Sequence, residues 1–451
     1  MGEDDRREKL IGLGPEKLAD ALLEMAYRSE DAGVLVNRLT SSKEEIIKRF
    51  KAQLSGLKRS KRFVERRDAR QLAQRLEDML IDLASAEPDA ITGIRLVSDL
   101  FACDSSIFAR CDDSYGNVGD FFKYSAGVLF SEYAELLGDK GYLCDLLFDL
   151  YESDDYGVRS ILIDEAHHYL GEEEMRRLSD RMWERCEDEE DERKRWHWNR
   201  GIGSIARQLK DPVLFEAAYR KSWPALHNKA ILDIAATYLE AGQPGIALER
   251  LQSIDNLEMH RVRERDQLLL AIYGRLGDEA KTEEMAWRLF RRERGMLALE
   301  ELLKVVGDEK RERIVDRETE AILASDQFSY SDASFMVEAG RFEEAEIYLL
   351  RHRESLDGDV YFVLKPLAEA LEEERPLGAT VLYRALLDSI LSRAISKYYN
   401  HGIRYLKKLD QLEARIDDWK GLQPHAEYRE RLQAAHGRKR SFWAKYPGGQ
   451  G

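Results

Sequence analysis

The residues most suggestive of chemistry are the run Ser160-Ile-Leu-Ile-Asp-Glu-Ala-His167. In nucleotide-hydrolysing enzymes, an apolar run followed by Asp-Glu-Ala-His presents one carboxylate to magnesium and another to the attacking water. That chemistry also requires a glycine-rich loop ending in Gly-Lys-Ser or Gly-Lys-Thr, and the sequence contains no such tripeptide. Because Val158, Leu162 and Leu170 fall at helical spacing, we expect a core helix from Val158 to Leu170 and no nucleotide site.

Histidine and cysteine are the candidate metal ligands. His167 and His168 lie close in sequence to the acidic run Glu172-Glu-Glu174, but adjacent histidines on one helix point about 100° apart and cannot share an ion. The cysteines lack C-x-x-C spacing, so we expect buried, reduced thiols. They are Cys103, Cys111, Cys144 and Cys186. The sequence predicts no metal and no cofactor.

Two basic segments could bind phosphate groups or an acidic partner. Between Lys43 and Arg75, twelve Lys or Arg residues stand against four Asp or Glu, although the whole chain has a formal net charge of −16. The candidate contact residues are Lys58, Arg59, Lys61, Arg62, Arg66 and Arg67 in this first segment, and Arg438, Lys439, Arg440 and Trp443 near the carboxyl end. Solvated helix faces that pair with the chain's own acids, and an aromatic end that closes the last apolar groove, would account for the same residues. Both interpretations stay open.

The elements that carry these residues are expected to be helices. Of the 451 residues, 43% are hydrophobic and 35% are charged, with only 9 prolines, a balance that suits long exposed helices. Sustained period-two alternation is missing, so no sheet is predicted. The polar start and the lack of a long apolar run predict a cytoplasmic protein with no membrane span. The acidic net charge disfavours non-specific coating of nucleic acid.

Helix boundaries can be placed from capping residues and apolar spacing. Pro15 suits the first position of an early helix, and the run Ser41-Ser42-Lys43-Glu44-Glu45 places a hydroxyl and a carboxylate at the spacing of a capping box for a helix over about residues 42–57. The helices predicted next are Leu72 to Leu83, Ala90 to Phe101, Phe121 to Leu137, Tyr142 to Tyr151, Val158 to Leu170, Glu172 to Cys186 and Trp196 to Leu209.

A helical-hairpin pattern recurs from about Leu226 to Arg351. Its turns align on Gly242, Gly277, Gly307 and Gly340, which are 30 to 35 residues apart, and Pro376-Leu-Gly378 marks a further turn. A large apolar residue stands four positions before each glycine, and two copies also share an alanine five positions and a leucine nine positions after it. Thr282 and Glu312 break the alanine rule. This period predicts stacked helix-turn-helix units.

These hairpins resemble tetratricopeptide (TPR) repeats, most clearly in Tyr238…Gly242…Ala247 and in the run from Glu338 to Leu349. The segment Leu13-Gly-Pro-Glu-Lys-Leu-Ala-Asp-Ala-Leu-Leu, together with the ending His436-Gly-Arg-Lys-Arg-Ser-Phe-Trp, resembles an uncharacterised bacterial family of helical proteins. A similar ending follows the zinc finger of some SWIM-type proteins, although the finger's C-x-C and C-x-H pairs are absent here. The TPR resemblance implies a concave surface that binds peptides or proteins.

The sequence as a whole predicts an all-α protein with an α-solenoid architecture, a TPR-like right-handed superhelix of antiparallel helix pairs. The predicted segments are 1–85 (helical, with the basic stretch), 86–211 (irregular helical repeats), 212–393 (TPR-like repeats) and 394–451 (aromatic and basic helical cap). The predicted function is a non-catalytic scaffold that holds a protein or peptide partner on the concave surface. The alternative is nucleic-acid association through residues 58–67 and 438–440. The oligomeric state is not predicted.

Overall fold

The computed structural model describes residues 2–223, 225–254 and 258–446. Within these residues the regular structure is helical, and the β-type contact is one isolated parallel bridge between Val64 and Cys111. The all-helical class is therefore as predicted. The chain divides into two compact units, Met1–Ile254 and Asp255–Gly451. The four sequence segments proposed above remain a prediction.

The first unit is a succession of helices joined mostly by short turns. Its α-helices are α1 (Glu3–Ile11), α2 (Pro15–Arg28), α3 (Glu30–Thr40), α4 (Lys43–Arg59), α5 (Ala69–Ser85), α6 (Ala90–Phe101), α7 (Asp104–Phe108), α8 (Asn117–Asp120), α9 (Gly127–Leu136), α10 (Lys140–Glu152), α11 (Ser160–Asp164), α12 (Glu172–Glu187), α13 (Glu192–Gln208), α14 (Pro212–Ser222), α15 (Asn228–Glu240) and α16 (Pro244–Gln252). A π-helical segment, Phe121–Ala126, precedes α9, and a 3-10 turn, Ala166–His168, follows α11.

The second unit continues the same pattern. Its α-helices are α17 (Val262–Leu276), α18 (Glu279–Arg292), α19 (Met296–Val306), α20 (Arg311–Ala324), α21 (Tyr330–Glu338), α22 (Phe342–Arg351), α23 (Tyr361–Leu371), α24 (Pro376–Arg393), α25 (Tyr399–Glu413), α26 (His425–His436) and α27 (Arg440–Trp443). Its 3-10 turns are Met259–Arg261, Asp308–Lys310, Arg353–Ser355 and Ser396–Tyr398.

Several helices begin where a side chain accepts from an otherwise unpaired backbone N–H. The predicted capping box of α4 is confirmed: Ser42 Oγ accepts from the backbone of Glu45 at 3.2 Å, and Glu45 Oε2 accepts from the backbone of Ser42 at 2.8 Å. At four other helices the N-cap is an aspartate whose side chain accepts from a backbone N–H of the first turn. These are Asp89 of α6, Asp139 of α10, Asp211 of α14 and Asp278 of α18.

Four of the predicted turn glycines mark turns between helices, whereas Gly378 lies inside α24, which begins at Pro376. Gly242, Gly277, Gly307 and Gly340 all have positive φ, between 72° and 101°, a backbone region that glycine enters without steric cost. The helices on either side of Gly242, Gly277 and Gly340 pack against each other. After Gly307 the chain instead makes a 3-10 turn before α20. The described residues therefore contain successive packed helix pairs.

Burial in these pairs follows the sequence pattern where the pattern is regular. Of the large residues before the turns, three are buried, namely Tyr238, Leu303 and Met336, whereas Tyr273 is half-exposed. The small and large residues after two of the turns are also buried; these are Ala247, Leu251, Ala345 and Leu349. Thr282 and Glu312, which break the rule, are half-buried and exposed respectively. Packing is thus less regular where the sequence departs from its own pattern.

Each unit has its own hydrophobic core. The main core of the first unit runs from Phe50 to Ala218 and includes a group of aromatic rings around Phe101, Phe122 and Phe130. The core of the second unit runs from Ala286 to Tyr446. None of the helices in the described residues is long and apolar enough to cross a membrane.

Two sequence-based helix predictions need correction. The predicted helix Val158 to Leu170 is two short pieces, because α11 ends at Asp164 and residues 166–168 form a 3-10 turn. The predicted helix Phe121 to Leu137 begins with the π-helical segment before it becomes α-helical. Apolar spacing alone does not distinguish these helix types.

Candidate functional site

A cleft of about 660 Å³ lies beside the first basic segment. Helices α3, α4 and α5 contribute to its walls, and the chain between α4 and α5 closes one side. Four arginines line it, namely Arg49, Arg62, Arg75 and Arg110. We call this site the basic cleft.

The connection between α4 and α5 is fixed to the rest of the unit by backbone hydrogen bonds. The backbone N–H of Val64 donates to the carbonyl oxygen of Arg110 at 2.8 Å, and that of Asp112 donates to the carbonyl of Val64 at 3.0 Å. The Arg110 guanidinium also donates to the carbonyl oxygens of Leu57 and Arg62, at 3.5 and 3.4 Å. These contacts hold the basic segment in place over the cleft.

The Arg110 side chain is not fully paired. Its Nε atom is buried and has no hydrogen-bond partner among the described residues. A guanidinium has five donors, and charged groups away from water are costly unless they are paired. Arg110 therefore adds to the cleft lining a cation that has no ion pair among the described residues.

The six predicted cations of the first segment are all exposed; they are Lys58, Arg59, Lys61, Arg62, Arg66 and Arg67. Within the described residues their one ion pair joins Arg67 to the neighbouring Asp68 at 3.9 Å, and Arg66 instead lies 5.0 Å from the centre of the Tyr115 ring. Phe63, in the middle of the segment, is 54% exposed. Pairing with the chain's own acids therefore does not account for this segment.

The acids in the cleft are partly neutralised. Asp82 accepts from Arg38 at 2.5 Å and from Arg49 at 3.0 Å, so its charge is already compensated. Asp68 and Asp78 also line the cleft, where Asp78 accepts from Gln74 at 3.4 Å. Arg62 and Arg75 have no ion pair among the described residues, which leaves the cleft locally positive despite the acidic chain.

The second predicted set lies at the carboxyl end of the second unit. Arg438 and Arg440 are exposed and Lys439 is half-buried, with no ion pair in the described part of the chain. Phe442 is fully buried, 5.5 Å from the ring of Tyr399, and half-buried Trp443 donates through Nε1 to the carbonyl of His436 at 3.0 Å. Phe442 therefore belongs to the core of the second unit and Trp443 packs against that core, whereas Arg438 and Arg440 remain exposed.

The Asp-Glu-Ala-His run does not form a strand-borne acid pair. Leu162, Ile163 and Ala166 are buried in the core, and Asp164 accepts from Ser204 Oγ at 2.6 Å. The predicted core role of this run is therefore confirmed for its apolar residues, although the single helix is not.

The four cysteines are free and buried, as predicted. Burial raises the pKa of all four thiols, that of Cys103 to about 11. Since the thiolate is the nucleophilic form, these cysteines are poorly suited to attack at neutral pH.

Sequence reasoning missed a second polar cavity of about 660 Å³, in the second unit. Arg384 is only 6% exposed there; it stacks 4.3 Å from the centre of the Tyr428 ring, and its Nη1 donates to the carbonyl of Gln423 at 2.7 Å. Asp388 accepts from the Tyr428 hydroxyl at 2.7 Å, and burial raises the pKa of this carboxyl. One signal in the sequence is the pair Arg384 and Asp388, four residues apart in the mostly apolar helix α24.

Comparison with known proteins places the chain in a family. A family model described as "Family of unknown function (DUF6880)" matches residues 6–445. The chain belongs to the DUF6880 family. This match agrees with the resemblance to an uncharacterised family of helical proteins. No curated protein and no solved structure matches this DUF6880 chain.

Proposed function

We propose that this protein is a non-catalytic helical-repeat scaffold that binds a protein or peptide partner, and that an acidic segment of the partner occupies the basic cleft. The observation that carries this proposal is the group of exposed cations without ion pairs around a cleft of about 660 Å³. Such a surface attracts and orients an acidic ligand. The right-handed TPR-like solenoid, its concave surface and the cytoplasmic location belong to the same proposal.

Apolar groups beside the cleft favour a protein partner. Phe63 is exposed between the cations, and Val34, which lines the cleft, is 44% exposed. Helix α3 also exposes Leu35 and Leu39, and α2 has no buried residue. Cations beside unpaired apolar side chains match an amphipathic segment that carries acids on one side and apolar residues on the other.

Nucleic acid is the second candidate. Exposed guanidinium groups beside Phe63 would suit phosphates and stacked bases, and Arg438, Lys439 and Arg440 would add further cations. The exposed aliphatic side chains of Val34, Leu35 and Leu39 favour a peptide over nucleic acid, because they offer no aromatic face on which a base would stack. We therefore place the protein partner first.

The two candidates can be separated by photo-crosslinking in cells, with a photoreactive residue in place of Phe63. We expect crosslinks to an acidic segment of a defined protein, whereas crosslinks confined to nucleic acid would favour the second candidate. A probe at Val213, which is 65% exposed on α14, is the matched control. Recovery of the same products from both positions would contradict a specific site at the cleft.

Binding of the identified partner should depend on the cations in the basic cleft and in the basic segment beside it. We expect the double variant Arg62→Gln/Arg66→Gln to weaken binding roughly threefold to thirtyfold, from the usual strength of two exposed ion pairs. The control Arg193→Gln/Lys194→Gln removes the same charge from exposed positions on α13. Equal affinities of the two double variants, measured by isothermal titration calorimetry, would rule out the basic cleft as the binding site.

A further inference from the structure

We propose that Glu165, His167 and His168 bind a divalent transition-metal ion, a role independent of the partner site proposed above. Potential ligand atoms of the three side chains lie within 4.8 Å of one another. Two imidazoles and one carboxylate are a donor set for Zn²⁺, Ni²⁺, Co²⁺, Cu²⁺ or Fe²⁺, whereas Mg²⁺ and Ca²⁺ prefer oxygen ligands alone.

The local backbone removes the objection raised from the sequence. Adjacent histidines on an α-helix diverge, but His167 and His168 lie in a 3-10 turn after α11 has ended at Asp164. Their ring centres are 4.0 Å apart, and His168 Nε2 lies 3.0 Å from Glu165 Oε2. Neighbouring ligands of a tetrahedral zinc ion are about 3.3 Å apart, as follows from zinc–nitrogen and zinc–oxygen bonds of roughly 2.0–2.1 Å. The ligand atoms, all within 4.8 Å of one another, would have to approach by at most about 1.5 Å to reach that spacing.

Gln208 orients His167 for metal binding. Its Nε2 donates to the carbonyl oxygens of Ile163 and Ser204, at 2.8 and 3.1 Å, which turns its Oε1 toward His167. That oxygen accepts from the His167 backbone N–H at 2.8 Å and lies 3.2 Å from Nδ1. An amide oxygen can only accept, so Nδ1 carries the proton and Nε2 keeps the free lone pair of the neutral ring. Metal-binding histidines commonly have such a partner on their other nitrogen.

The turn itself is firmly held, while the ligand atoms stay accessible. Ala166 and Leu170 are buried in the core on either side of the histidines, and buried Tyr169 donates its hydroxyl to the carbonyl of Leu162. His167 and His168 are exposed and Glu165 is half-buried. A site built on a rigid frame loses little conformational freedom when the ion binds.

Three protein ligands would leave a coordination position for water or another group. His167 also lines a cleft of about 770 Å³ that continues along α13 and α14. The cationic side chains of Arg200, Arg207 and Lys210 line the same cleft. An anionic group bound to the ion would therefore have compensating charge nearby.

The test uses tag-free, full-length protein that has been stripped of metal with a chelator. Co²⁺ titration followed by visible absorption, with Zn²⁺ competition, should show one bound ion per chain. We expect His168→Ala and Glu165→Gln each to weaken Zn²⁺ binding at least tenfold, and Gln208→Leu to weaken it roughly tenfold to hundredfold. Circular dichroism at each step checks that the variants remain folded.

His260→Ala is the matched control, because His260 is also an exposed histidine in a 3-10 turn. We expect this variant to bind Zn²⁺ like the unaltered protein. The proposal is overturned if the unaltered protein binds Zn²⁺ no more tightly than the His168→Ala variant. It is also overturned if His260→Ala causes the same loss as His168→Ala.

Discussion

At the scale of single residues, His197 links stability to pH. Its ring stacks 3.9 Å from the centre of the Tyr151 ring, and its Nε2 lies 2.8 Å from the Tyr151 carbonyl oxygen. Burial lowers the pKa of His197, although Asp154 nearby acts in the opposite direction. The folded state therefore binds fewer protons than the unfolded state below the ordinary histidine pKa of about 6.5. This contribution to stability is full above that pH and is lost as the pH falls through the folded-state pKa.

We therefore predict that His197→Phe makes stability less sensitive to acid. Phenylalanine keeps the aromatic stack but lacks the hydrogen bond to Tyr151 at every pH. Because it cannot take up a proton, the variant does not lose stability through protonation at this position. Denaturant unfolding at about pH 7.5 and about pH 5.5 should show a smaller difference in unfolding free energy for the variant. His260→Phe, at an exposed position, should keep the difference found for the unaltered protein. Identical differences in both variants would contradict the role of His197.

Gly358 shows why a single missing side chain matters at a close approach. A Cβ atom at this position would lie 2.1 Å from the carbonyl oxygen of Ala385 and 2.6 Å from Ser389 Cβ, both on α24. Gly358→Ala should therefore lower the free energy of unfolding by about 1–3 kcal/mol, the usual cost of overpacking.

Gly274→Ala is the control for Gly358→Ala, since Gly274 lies in α17 and a Cβ there would meet nothing within 4 Å. Alanine should raise stability at that position by about 0.5–1 kcal/mol, because glycine is unfavourable inside a helix. Thermal unfolding of the two variants measures both effects. Equal changes of the same sign would show that the close approach at Gly358 has no energetic consequence.

At the scale of elements, buried carboxylates connect neighbouring helices in the part of the chain that carries the hairpins. Glu216 of α14 accepts from Tyr238 of α15 and Arg250 of α16, at 2.9 and 3.0 Å. Asp266 of α17 pairs with two arginines of α18, and Glu318 of α20 pairs with Arg291 of α18. These contacts fix which helix packs on which, because a buried charge is costly without its partner.

Glu318 is the sharpest test of this role, because it is 1% exposed and also accepts from Arg294 at 3.1 Å. We predict that Glu318→Ala lowers the free energy of unfolding by roughly 3 kcal/mol, since it leaves Arg294 without one of its partners. Glu320→Ala, at an exposed position of the same helix, should change stability by at most about 0.5 kcal/mol. Denaturant unfolding measures the free energy of unfolding of both variants. If Glu318→Ala lowers it no more than Glu320→Ala does, the stabilising role of Glu318 is contradicted.

The elements were predictable where local chemistry decides them. The capping box at Ser42 and the turns at Gly242 and Gly340 depend on residues within a few positions. The break after Asp164 was not predictable, because apolar spacing continues through it and the turn is held by Tyr169 and Gln208. Arg110 was missed for a similar reason: its contact with Leu57 joins residues 53 positions apart. The basic segment was found from its charge, whereas the lack of ion pairs around it required the structure.

At the scale of the whole molecule, the chain carries a net charge of −16, whereas the lining of the basic cleft is locally positive. Charges interact over roughly 30 Å at 0.01 M salt, about 10 Å at 0.1 M and about 3 Å at 1 M. At the lowest salt an acidic ligand is therefore repelled by the net negative charge of the chain and attracted by Arg62 and Arg66. At intermediate salt the distant repulsion is screened while the direct contacts remain, and at high salt both are weakened.

We thus predict that an acidic amphipathic peptide of Glu and Leu binds most tightly at an intermediate ionic strength of about 0.1 M. The Debye length is then about 10 Å, so the peptide still interacts with the cations that it contacts but much less with distant acids. Fluorescence anisotropy of the labelled peptide across a salt series measures this, with a peptide that has Gln in place of Glu as the uncharged control. Arg62→Gln/Arg66→Gln should lower and flatten the maximum, because less direct attraction then stands against the same distant repulsion. A steep, continuous fall in affinity from the lowest salt upward would instead mean that the cleft cations act alone and that the acidic remainder of the chain has no influence on the ligand.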